Sequence, residues 1–183
     1  SGNENPRERE GLTRMAKIER VDIHSQRPLL AELERAVTWG FQHAKIDPLI
    51  KGSGLEKVTV VVASQGKSRR CMGLFTNSSW SNREGDESIS EIQMSSEYLK
   101  LEPVEIVAVM LHEATHLWCF NADVKDTSSG GVYHNKRFKD HAELMGLGCP
   151  EMVEGPAGFG YTHVPAALRK DIETGFKPKF DVF

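Results

Sequence analysis

Apolar residues recur at helical spacing early in the chain, at strand spacing in its middle, and almost without interruption after residue 103. From Pro28 to about Lys45, the positions Leu29, Leu30, Leu33, Ala36, Val37, Trp39 and Phe41 form one stripe with charged residues opposite, which predicts an amphipathic helix. Lys57 to Ala63 is β-branched and predicts a buried strand, and Arg70 to Phe75 a second one. Ser88 to Met94 alternates, as a strand with one buried face does. Between these two, Asn77 to Asp86 is rich in Asn, Ser, Gly and Asp and reads as a loop.

Pro103 suits a first helical position, and Val104 to Phe120 is apolar on nearly every side, which predicts a buried helix. Asn121 to Gly131 is polar and Gly/Ser-rich, so the helix stops there. A second helix is expected from about Asn135 to Gly146, with Phe138, Ala142 and Met145 on one face and Gly146, Gly148 and Pro150 ending it. Gly155 to Gly160 reads as loop and Pro165 to about Thr174 as a short helix. The order of helix, strands and two further helices predicts an α+β domain. Its small, mainly antiparallel sheet packs against the apolar helix and the downstream one.

A chain of 183 residues suits one such domain. Residues 1–25 are charged, lack apolar periodicity and are expected to form an arm, leaving 26–183 as the domain. The net charge of −3 argues against a strongly electropositive nucleic-acid surface. No apolar run approaches the roughly 20 residues of a membrane span, and no signal peptide is visible. Ser1-Gly2 reads as a cloning remnant, which leaves the question of a removed leader open. Cys71, Cys119 and Cys149 are too widely spaced for a CxxC element, and an odd set of thiols suggests the cytoplasm or another reducing compartment.

The apolar helix contains His112-Glu113-Ala114-Thr115-His116, an HEXXH motif. Two histidines four apart lie on one helical face, where both imidazoles reach the same ion. Glu113 lies beside them, suited to take a proton from water. Burying these groups unpartnered would cost roughly 2 kcal/mol or more each, a cost that a metal ion removes. A catalytic zinc site takes three protein ligands and leaves a fourth position open. A metzincin completion would need Gly at Cys119 and His at Ala122, so that class is excluded. Spacing leaves three candidates for the third ligand: His134 at the start of the second helix, His141 about 10 Å further along it, and Glu143.

The segments Arg70 to Phe75, Ile89 to Tyr98, Leu111 to His116 and His134-Asn-Lys-Arg-Phe138 resemble the SprT-like (Spartan-type) zinc metalloprotease domain over about Leu29 to Leu147. The resemblance implies a zincin-like fold, bound Zn²⁺ and a protein or peptide substrate. It also implies His134 as third metal ligand, from an HGxxF-type pattern, with Phe138 packed beneath it. Asn135 stands where the family customarily has Gly. Many relatives continue into a zinc ribbon with paired CxxC elements. None occurs here, which detaches the site from the DNA-binding role the resemblance would otherwise imply. Residues 149–183 lie outside the resemblance, as a C-terminal extension.

These features lead to the expectation of an HEXXH zinc endopeptidase with Glu113 as general base and His112, His116 and His134 as ligands. Tyr161 and His163, in a Gly-rich loop, are candidate oxyanion donors. A non-catalytic zinc module of the same fold, or a hydrolase of a non-peptide amide, are the alternatives. Glu113 favours catalysis, because a purely structural site has no use for it.

Overall fold

The computed structural model describes residues 26–46, 55–66, 71–81, 83–85, 87–153 and 155–180; the charged segment 1–25 lies outside them, as does Arg70. The first apolar stripe folds as helix α1 (Gln26–His43). It turns Leu29, Leu33, Ala36, Val37 and Phe41 into the core, all almost fully buried. Strand β1 (Val58–Ala63), strand β2 (Gly73–Ser81) and strand β3 (Ser88–Ser95) form one sheet in the order β1-β3-β2. β3 is the central strand, and its inward face carries the fully buried Ile92 and Met94 together with the buried Ser90.

The sheet differs from expectation in two respects. β2 pairs antiparallel with β3, but β1 runs parallel to it, so the sheet is mixed. The chain must therefore cross from one edge to the other between β1 and β2. β2 also continues through Asn77 to Ser81, where a loop was expected. Those residues are exposed, so no alternation marks them as strand. A bulge between Thr76 and Trp80 absorbs the irregularity, with Ser78 at φ 48°.

Helix α2 (Pro103–Asn121) follows and has Pro at its first position. It packs against α1 and against both β2 and β3, which explains why it is apolar on nearly every side. Met110, Leu111, Ala114 and Leu117 have no exposed surface. Each such Leu or Met contributes about 1.5–3 kcal/mol of burial. Among the described residues, no helix is long and apolar enough to cross a membrane.

Two short strands form an antiparallel pair: β4 (Thr127–Ser128) lies in the segment expected to be plain loop, and β5 (Tyr133–His134) takes in His134, which was expected at the start of the second helix. Helix α3 (Lys136–Leu144) then packs on α2 through Phe138 and Ala142. Helix α4 (Ala166–Asp171) widens into a π turn, Ile172–Phe176. Leu168, Ile172 and Phe176 join the same core as α1 and α2, so the C-terminal extension is packed into the domain rather than appended to it. Arg35 of α1 clasps this end, donating to the carbonyls of Phe176 and Lys177 while pairing with Glu32.

Candidate metal centre and active site

Helical geometry sets the first half of the site. His112 and His116 rise one turn apart from the same face of α2, their ring centroids 5.1 Å apart. The other half comes from loops. Pairing of Thr127 with His134 in the β4–β5 hairpin carries His134 across to the helix. Its Nε2 lies 3.2 Å from His112 Nε2 and 3.1 Å from His116 Nε2. These three are the one group of His, Cys, Asp or Glu side chains, among the described residues, able to hold a metal ion together.

Each of the three rings has its other nitrogen occupied. His116 Nδ1–H donates to Asp126 Oδ2 at 2.6 Å, and His134 Nδ1–H donates to the Ala157 carbonyl at 3.2 Å. A carboxylate and a carbonyl only accept, which fixes the proton on Nδ1 and leaves Nε2 as a bare lone pair. His112 Nδ1 meets the Thr162 hydroxyl at 3.0 Å, which accepts from Nδ1–H when His112 turns a bare Nε2 to the other two rings. In that tautomer three lone pairs face one another at close range, an arrangement that a cation would relieve. A tetrahedral ion at ~2.0–2.1 Å from each nitrogen requires N···N separations of about 3.3–3.4 Å. The observed spacings of 3.1 and 3.2 Å match that within a few tenths of an ångström, so the donor set fits.

Electrostatics agree. Burial, with help from the neighbouring imidazoles, holds His112 well below its ordinary value and His134 down to about 4. Both rings are therefore neutral, the state a metal ligand needs. Asp126 keeps its charge: burial works to raise its value, but the His116 ring outweighs it and the net direction is down. Phe138 lies beneath all three rings, with centroids 4.8, 4.8 and 4.5 Å from His112, His116 and His134.

Glu113 stands beside the cluster and lines the same open cleft. Burial pushes its value up to about 7, against the opposing pull of His116 and the backbone N–H of Phe75. It fits only because β2 starts with a glycine. A Cβ on Gly73 would sit 2.6 Å from Glu113 Oε1 and 2.7 Å from its Cγ.

The other two candidates for third ligand point elsewhere. His141 donates from Nδ1 to the Arg137 carbonyl at 2.7 Å and packs edge-on to Trp118. Glu143 is half exposed and 3.7 Å from Lys139 Nζ. Tyr161 and His163 both line the cleft and are exposed; the His163 ring lies against Gly148. Asp126 and Thr162 were not foreseen from sequence. Asn135, in place of the customary glycine, has a role of its own. At φ −89° it needs no glycine, its Oδ1 caps α3 at Arg137 and Phe138, and its Nδ2 donates to the Lys125 carbonyl. It thereby ties the loop that carries Asp126 to the helix that follows His134.

A family model described as the SprT-like family matches residues 26–153, most of the chain. The chain belongs to the SprT-like family. No curated protein and no solved structure gives a match of its own. Membership in the SprT-like family agrees with a metallopeptidase-like domain built on a three-histidine metal site. The matched region holds His112, Glu113, His116, Asp126 and His134, while Ala157 and Thr162 lie past its end.

Proposed function

We propose that this SprT-like domain is a zinc-dependent endopeptidase with Glu113 as its general base. The observation that carries the reading is Glu113 itself. It is a carboxylate held at the wall of an open cleft, beside three imidazoles whose Nε2 atoms converge. His112, His116 and His134 would hold the ion, which when bound supplies Lewis-acid polarisation of a carbonyl and acidification of water.

The protein's own groups do the rest. Burial raises Glu113 to about 7 in the metal-free site, and a bound cation would draw that value down again, leaving a carboxylate able to accept a proton. It takes one from the attacking water and delivers it to the departing amine nitrogen. The Phe75 N–H and the bare backbone at Gly73 hold the carboxylate still while it does so. Tyr161, exposed on the cleft, is the better placed oxyanion donor, because the His163 ring is packed on Gly148. The cleft wall includes Phe75, Val109, Phe120 and Val132, which suit apolar side chains of a polypeptide. Its charges, Glu105, Asp123 and Asp126 against Lys125, support a polypeptide over a nucleic-acid strand at this place.

Glu113→Gln tests the reading. It is expected to keep stoichiometric zinc and to lose about 10²–10⁴-fold in peptide hydrolysis. Undiminished turnover in that variant would remove Glu113 as the base. A wild-type protein that binds zinc and cleaves no polypeptide would favour the non-catalytic module instead.

A further inference from the structure

Residues 155–163 lie beyond the region matched by the family model, yet they close over two of the three histidines. The Ala157 carbonyl accepts from both the His134 backbone N–H, at 3.1 Å, and its Nδ1–H, at 3.2 Å. Phe159 N–H returns a bond of 3.0 Å to the His134 carbonyl, so this residue is gripped through backbone and ring together. Two glycines permit the approach. A Cβ at Gly158 would overlap the His134 carbonyl oxygen, and one at Gly160 would overlap the imidazole at Nδ1. Gly158 also sits at φ +61°. Two residues past Gly160, Thr162 brings its hydroxyl to 3.0 Å from His112 Nδ1. Its own N–H is held by the Gly160 carbonyl at 2.9 Å.

We infer that residues 155–163 form a strap belonging to the metal centre, in which Thr162 is the positioning residue for His112. The inference rests on the metal-site reading above and extends it to residues past the matched region. Without an acceptor at Nδ1, the His112 ring is free to rotate about its side-chain torsions and to move its proton to Nε2. Either change removes a ligand. A hydroxyl at position 162 holds the ring in orientation and accepts from Nδ1–H when Nε2 takes a cation, and a methyl group in the same place does neither. The β4–β5 hairpin thus supplies the third ligand, and the strap fixes both that ligand and the first.

The test is zinc affinity of the full chain, measured by chelator competition, with the absorption spectrum of the cobalt(II)-loaded protein as a second readout. Thr162→Val and Thr162→Ala are expected to weaken zinc about 10–100-fold and to alter the cobalt spectrum, with Thr162→Ser close to wild type. Wild-type affinity in either Val or Ala overturns the inference and leaves the metal-site reading standing. So does a lowered Tm of the metal-free variants with an unchanged cobalt spectrum, which is the signature of a merely structural residue. A wild-type chain that takes up no zinc or cobalt overturns the metal-site reading, and the inference with it.

Discussion

The two halves of the metal centre are made in opposite ways. His112, Glu113 and His116 stand on one buried helix, where 3.6-residue periodicity places them and a core of Leu111, Ala114 and Leu117 holds them. His134, Asp126, Ala157 and Thr162 come from hairpin and strap, where backbone hydrogen bonds and glycines do the placing. The helical half is rigid by packing. The loop half is held, beyond the Phe138 ring under His134, by polar bonds, each of which can be removed singly.

The largest expected effect is on the loop-borne ligand. His134→Ala should lose zinc by orders of magnitude, whereas His141→Ala, seven residues on, should bind it like wild type. Metal content after dialysis reads both, and the reverse pattern would move the ligand role to the helix. Next comes Asp126→Asn, which keeps size but gives His116 a weaker, uncharged acceptor. Zinc affinity should fall about 10–100-fold with little loss of helix content. An unchanged affinity would mean that packing against Phe138 alone orients His116, and the contrast between the halves would blur.

The smallest effect lies away from both halves. Glu32, almost buried on α1, pairs with Arg35 and accepts from the Lys179 backbone N–H. Burial works to raise its value, but Arg35 and Lys179 outweigh it, so the folded value lies below the ordinary 4.5. A depressed carboxylate stabilises the fold fully above its unfolded value and loses that contribution as pH falls through the folded one. Glu32→Gln should therefore cost about 1–3 kcal/mol near neutral pH, and the gap should close in acid, with zinc affinity untouched. Denaturant titrations across pH measure it. A gap that persists in acid would show that the side chain acts through shape and not charge.

The same contrast decides what was legible in the sequence. The helical half could be read directly, since spacing along α2 fixes facing, and α1, β1 and β3 also followed from their apolar patterns. β2 was legible only to about Thr76, because its exposed end beyond the bulge carries no buried face to alternate. His134 led the three candidates on spacing and again through the resemblance at His134 and Phe138, and it is the hairpin that brings its Nε2 within 3.2 Å of His112 and His116. Asp126 and Thr162 left no trace. An aspartate ten residues past His116, or a threonine fifty past His112, acquires meaning only from turns that the residue pattern does not specify. The parallel β1–β3 pairing was hidden for the same reason, as strand periodicity is blind to direction.

Gly73 has a consequence for the traffic of protons. With no side chain at that position, the sheet backbone itself forms the back wall of Glu113, and the Phe75 N–H occupies part of the carboxylate. Glu113 is almost fully buried, and the cleft that it lines together with Gly73 gives it its approach. In the proposed reaction that wall would make the cleft the side on which Glu113 gains and gives up its proton.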